Sequence, residues 1–123
     1  MKTILVVEDE PAIADVLLQV LEEEGYKVVH AINGQHGLQQ LSEVKPDLVL
    51  SDLMMPVLTG AEMYHKMQSD PDMSRVPVVL MSAARSAPEF VVTGNIPTYV
   101  GFLRKPLDLE GLIQLIMTAI GPP

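Results

Sequence analysis

The chain contains no cysteine, which excludes disulfides and thiol chemistry and leaves the compartment open on that count. Aromatic residues make up only 4% of it, so Leu, Val, Ile and Met must build any core. Cations are scarce. Eight Lys and Arg against sixteen Asp and Glu give a formal net charge of −8. That balance argues against direct binding of nucleic acid, which needs cations along the phosphates. It favours divalent cations or basic patches on a partner. No apolar run approaches the ~20 residues of a membrane helix. The first, residues 4–7, stops at Glu8 and is too short for a signal peptide. There is no internal repeat and no low-complexity tract. These absences predict a soluble, cytoplasmic protein with no membrane partner. Apolar residues, by contrast, are plentiful. At 48% of 123 residues they suffice for a single compact domain over 1–123.

The apolar residues fall into short runs that close on polar ones. Residues 47–51 read as a strand buried on both faces, with Asp52 at its carboxyl end. In open α/β sheets that edge is where ligands bind. An unpaired buried carboxylate is costly, so Asp52 needs partners. Residues 4–7 form a first strand closing on Glu8-Asp9-Glu10. Pro11 suits a first helical position, and Ile13, Val16, Leu17, Val20 and Leu21 then recur at helical spacing until Gly25. Residues 28–31 form a second strand; Asn33-Gly34 caps a helix that Lys45-Pro46 breaks. Residues 60–67 fit a third helix with Met63 and Met67 inward. A fourth strand over 76–81 ends at Ser82-Ala83-Ala84, and a fifth over 100–103 ends at Arg104-Lys105-Pro106. Asp108 caps a last helix carrying Leu109, Leu112, Ile113, Ile116 and Ile120, stopped by Gly121-Pro122-Pro123. This alternation predicts a parallel sheet with helices on both faces.

Residues 86–98 break the pattern. Pro88 can start a helix. Val91-Val92-Thr93 are mediocre helix formers, Gly94 and Asn95 read as a stop, and Pro97 forbids continuation. The expectation is an irregular or shortened helix between the fourth and fifth strands. Phe90, Val91, Val92 and Ile96 are too apolar for a solvated loop; they pack beside the fifth strand or form a patch for a partner.

Parallel strands present their carboxyl ends on one edge, so Glu8, Asp9, Asp52, Ser82 and Lys105 should converge. Carboxylates sharing a cleft repel unless a hard cation joins them. Mg²⁺ takes one or two carboxylates and favours phosphate oxygens. A carboxylate also attacks phosphorus to give an aspartyl phosphate. The transferring group then needs positive charge and donors on its equatorial oxygens, which a metal, Lys105 and Ser82 supply. Taken singly, each residue has an ordinary reading. Glu8 and Asp9 suit a solvated loop ahead of a helix, Asp52 a turn, Ser82 a strand end and Lys105 the surface. Together they suit phosphoryl chemistry. His30, His36 and His65 sit on different elements with no ligand spacing and receive no role. The methionines read mainly as core filler.

Glu8-Asp9, Asp52 with Met55-Pro56 and Gly60 behind it, Ser82-Ala83, and Lys105-Pro106 each follow a strand in order. In this the sequence resembles the response-regulator receiver domain of two-component systems over nearly its whole length. The resemblance implies a flavodoxin-like, doubly wound five-stranded parallel sheet in the order 2-1-3-4-5. It implies that Asp52 accepts a phosphoryl group from a sensor histidine kinase or phosphotransfer protein. It implies Mg²⁺, or Mn²⁺ in its place, on Glu8, Asp9, Asp52 and the Met54 backbone carbonyl. Ser82 and Lys105 match the phosphoryl contacts, and Ser82 and Phe102 match the switch. The Lys105–Pro106 bond is expected to be cis. Such a protein is a signalling phosphoacceptor rather than an enzyme, although it assists its own phosphorylation and dephosphorylation. Its output partner is unknown. Met54 and Ala84 flank the acceptor without a side chain able to hold a hydrolytic water, which implies a long-lived phosphate.

Two other readings compete. A binding module that keeps the fold but works without phosphorylation is motivated by the irregular 86–98 stretch. A phosphohydrolase using Asp52 as a turnover nucleophile fits less well. Haloacid-dehalogenase-like enzymes place that residue after the first strand with a second acid two residues on, where this chain has Met54.

Overall fold

A computed structural model describes residues 1–53, 57–82 and 99–123. The Met54 carbonyl, the flanking pair Met54 and Ala84, and the stretch at 86–98 for which an irregular or shortened helix is expected lie outside the described residues. The elements run β1 (Thr3–Val7), α1 (Pro11–Glu23), β2 (Lys27–Ala31), α2 (Gly34–Val44), β3 (Leu48–Asp52), α3 (Gly60–Gln68), a 3₁₀ turn (Met73–Arg75), β4 (Val78–Ser82), β5 (Tyr99–Arg104) and α4 (Leu109–Ile120). The five strands are parallel, in the order β2-β1-β3-β4-β5. This is the doubly wound, flavodoxin-like order expected from the sequence.

The strand runs are apolar throughout because both faces of the sheet are covered, and alternate residues go to opposite sides. Ile4, Val6, Leu48, Leu50, Val79 and Met81 pack with Leu17, Leu21, Leu112 and Ile116 of α1 and α4. Leu5, Val7, Val49, Val78 and Leu80 pack with Leu41, Met63, Tyr64 and Met67 of α2 and α3. Burying one such side chain is worth about 1.5–3 kcal/mol, and the five β3 residues are all buried.

The second layer is tight. A Cβ on Gly37 would stand 3.0 Å from Met63 Sδ and 3.1 Å from Val7 Cγ2, so α2 lies close on β1 and α3. A Cβ on Gly34 would stand 2.6 Å from the Leu58 carbonyl oxygen, which ties the start of α2 to the loop after β3. In that loop Val57 holds φ at 69°, the left-handed region that a β-branched residue seldom enters.

Two helix starts carry caps. Asn33 Oδ1 accepts from the His36 amide at 2.8 Å. Thr59 Oγ1 accepts from the Glu62 amide while Glu62 Oε1 accepts from the Thr59 amide, both at 3.1 Å, a capping box. Asp108 stands at the N-cap of α4 but makes no side-chain cap bond, contrary to the expectation for it. Strand limits also differ from expectation by one or two residues. β3 closes on Asp52 as expected but begins at Leu48 rather than at residue 47. β4 begins at Val78 rather than Val76, because the Val76 amide is taken by the Met73 carbonyl, closing the 3₁₀ turn at 3.1 Å.

Candidate functional site

Backbone register builds the site. β1 and β3 pair Val7 with Ser51, so the residues that follow, Glu8 and Asp52, are neighbours at the carboxyl edge. On the far side of β3, Asp52 pairs with Met81, and β4 pairs Ser82 with Arg104. The ladder runs on past both strands. The Leu53 amide donates to the Met81 carbonyl at 2.7 Å and the Lys105 amide to the Ser82 carbonyl at 2.8 Å. Lys105 is thereby delivered to the same edge as the acids. The Lys105–Pro106 peptide bond is cis.

The Lys105 Nζ donates to Glu8 Oε2 and to Asp52 Oδ2, each at 3.1 Å. The three side chains are largely withdrawn from water, with exposures of 14%, 0% and 6%. Paired burial of this kind is tolerated only when the charges are mutually satisfied. Glu8 also accepts the Glu10 amide on Oε1 at 3.2 Å. Burial pushes the Glu8 carboxyl up to about 7; the hydrogen bond from Lys105 works against this, and the Asp52 charge adds to it. Burial alone would pull Lys105 down, but its hydrogen bonds to Glu8 and Asp52 outweigh that, and its ammonium is held above the ordinary value.

Glu8, Asp9 and Asp52 each offer a carboxylate oxygen within 4.8 Å of the others. This donor set is all oxygen, as Mg²⁺ or Mn²⁺ prefers. The Lys105 ammonium between two of the acids shows that the edge already favours positive charge. The residues present fit a hard divalent cation, and no other group of three such side chains does so among the described residues.

Ser82 is the buried last residue of β4. Phe102 stands opposite Leu80 in β5, half-buried against the layer beneath α2 and α3. The structure thus brings Glu8, Asp9, Asp52 and Lys105 together, with Ser82 on the adjoining strand end. His30, given no role from sequence, sits at the site's margin: its Nε2 is 2.8 Å from the Glu8 backbone oxygen. Beside Lys105 runs an apolar groove of about 390 Å³ lined by Ala12, Ile13, Val16, Leu107 and Leu109.

The chain belongs to the response regulator receiver domain family, which matches residues 4–117. Such domains are the signalling phosphoacceptors of two-component systems and partner histidine kinases or phosphotransfer proteins. The chain is 39% identical over 117 residues to the uncharacterized transcriptional regulatory protein YkoG of Bacillus subtilis, covering 95% of this chain and 50% of that protein. It spans about half or less of the length of the first curated relatives it matches. Among solved structures, it resembles the signal receiver domain of a signal transduction histidine kinase from Syntrophus aciditrophicus. That likeness has a TM-score of 0.85 and 32% identity, and covers 98% of this chain and 90% of that one. The receiver domain of the sensor histidine kinase PA1611 from Pseudomonas aeruginosa shares the fold at a TM-score of 0.85 and 24% identity, covering 98% of each chain. That domain holds a magnesium ion in its active-site cleft. No helix among the described residues is long and apolar enough to cross a membrane.

Proposed function

We propose that this chain is a working, Mg²⁺-dependent phosphoacceptor, acting as one receiver domain over residues 1–123. The observation that carries the reading is the shared ammonium of Lys105, 3.1 Å from both Glu8 and Asp52. A module that had abandoned phosphorylation would have no use for two buried acids around one lysine, an arrangement that costs desolvation.

An Asp52 carboxylate oxygen attacks the phosphorus of a phosphohistidine on a kinase or phosphotransfer protein. The new oxygen–phosphorus bond forms as the phosphorus–nitrogen bond breaks, and its electron pair returns to the imidazole. Glu8, Asp9, Asp52 and the Met54 carbonyl would hold the cation. Mg²⁺, when bound, supplies charge that offsets the transferring oxygens. Lys105 releases Asp52 and turns to the phosphoryl oxygens, and Ser82 donates its hydroxyl to another. Phe102 then repacks in the space that Ser82 leaves, and the surface beyond β5 changes. The net charge of −8 opposes direct contact with nucleic acid, so the output of this segment is a protein contact in the cytoplasm.

Incubation with a small phosphodonor and Mg²⁺, read by intact mass, tests this. The native chain gains one phosphoryl group, and Asp52→Asn gains none. A chelator abolishes the gain. Labelling retained in Asp52→Asn, or undiminished in chelator, overturns the reading.

A further inference from the structure

The parallel ladder between β1 and β2 advances two residues at a time along β1. The Lys27 amide donates to the Lys2 carbonyl at 2.9 Å, and the Glu8 amide to the Ala31 carbonyl at 3.0 Å. The next rung would bring the Asn33 amide to the Glu8 carbonyl. It does not form, because β2 ends at Ala31 and Asn33 has become the N-cap of α2. The Glu8 carbonyl is met instead by a side chain. His30 Nε2 stands 2.8 Å from it. A carbonyl oxygen can only accept, so this ring nitrogen carries the proton and donates.

The peptide unit between Glu8 and Asp9 is planar. Holding its carbonyl oxygen therefore fixes how the Asp9 amide and Cα leave the strand. Glu8 itself is anchored three times over, by its amide, by the Glu10 amide on Oε1 and by Lys105 on Oε2. Asp9 has no such anchor among the bonds of this edge, yet its carboxylate must lie within 4.8 Å of its two partners.

We propose that His30 is a positioning residue for the cation site. Through the Glu8 carbonyl it orients the Asp9 carboxylate toward Glu8 and Asp52, and so raises affinity for a divalent cation it does not touch. The inference rests on the cation reading given above.

Calorimetric titration of the full chain with Mg²⁺ alone tests it, in the native protein and in His30→Phe, His30→Gln and His36→Ala. Partners that orient metal ligands contribute on the order of tenfold or more in affinity. His30→Phe fills the space without a donor and should bind Mg²⁺ about tenfold more weakly, whatever its thermal midpoint. His30→Gln places an amide N–H near the Nε2 position and should recover most of that loss. His36 accepts the Ile32 amide in the adjacent loop at 3.1 Å, so His36→Ala loosens that loop without touching Glu8 and should bind as the native chain does. Native affinity in His30→Phe, failed rescue by Gln, or an equal loss in His36→Ala overturns this inference and leaves the cation site standing. A native chain that takes up no Mg²⁺ overturns both, so the two failures are distinguishable.

Discussion

Lys105 and Asp52 lie 53 residues apart in sequence and 3.1 Å apart in space, joined by a charge-assisted hydrogen bond at the rim of the sheet. The same ammonium serves Glu8. One cation therefore offsets two acids that a single sheet edge forces together.

Removing that cation should have two separable effects. In metal-free buffer Lys105→Ala should lose about 3 kcal/mol of stability, the low end for a broken buried pair, because Glu8 can take up a proton and soften the cost. Mg²⁺ should return part of this. Its affinity in the variant should be at least native, since Lys105 competes for the same oxygens. Urea denaturation with and without Mg²⁺ measures the first, and calorimetry the second. Weaker Mg²⁺ binding in Lys105→Ala would count against the assignment of Lys105 to the phosphoryl group.

The switch has its own readout. The Phe102 ring resonances should shift when Asp52 is phosphorylated in the native chain. In Ser82→Ala the phosphoryl group should still arrive, while the ring signals stay near their resting positions. A ring that moves equally in both proteins would detach Ser82 from the switch.

Close approach of backbone at Gly34 and Gly37 should be unforgiving. Gly34→Ala sets a methyl 2.6 Å from the Leu58 carbonyl, and the neighbour is backbone rather than a flexible tip. Overpacking of this kind costs roughly 1–3 kcal/mol. Gly37→Ala, meeting a methionine sulfur at 3.0 Å and a valine methyl at 3.1 Å, should cost less because Met63 can adjust. Equilibrium unfolding of the two variants should rank them in that order.

The reciprocal cap at the start of α3 should be worth about 1 kcal/mol. Thr59→Ala is expected to lower the unfolding free energy by that amount, and Thr59→Ser to leave it nearly unchanged. An Ala variant as stable as the native chain would mean that the Thr59 and Glu62 bonds are replaced by water without loss.

Much of this molecule is legible in its sequence because its strands are short, apolar and cleanly ended. Once residues 4–7 and 47–51 are read as parallel strands, Glu8 and Asp52 must share an edge, and Lys105 follows by the same reasoning two strands further out, beyond β4. What misleads is chemistry that looks local. Val76 is apolar and reads as strand, but its amide is committed to a 3₁₀ turn. Asp108 has the right residue type and position for a cap and makes no cap bond, whereas the Thr59 to Glu62 spacing is a capping signature that periodicity alone passes over. His30 is the instructive miss. Its partner is a backbone oxygen on another strand, reached only because the ladder stops one rung short, and no spacing of residue types encodes that.

The order in which the site's parts leave the ribosome gives the shared lysine a further meaning. Glu8 and Asp52 are both made well before Lys105, and β1 and β3 can pair as soon as β3 has emerged. A chain paired that far would hold two carboxylates in apposition without the lysine that offsets them in the finished sheet. Docking of β5 brings the neutralising ammonium, so the last strand closes the sheet and quenches the repulsion in one event. The charges of Glu8 and Asp52 thus weigh against the pairing of β1 with β3 until Lys105 arrives to offset them.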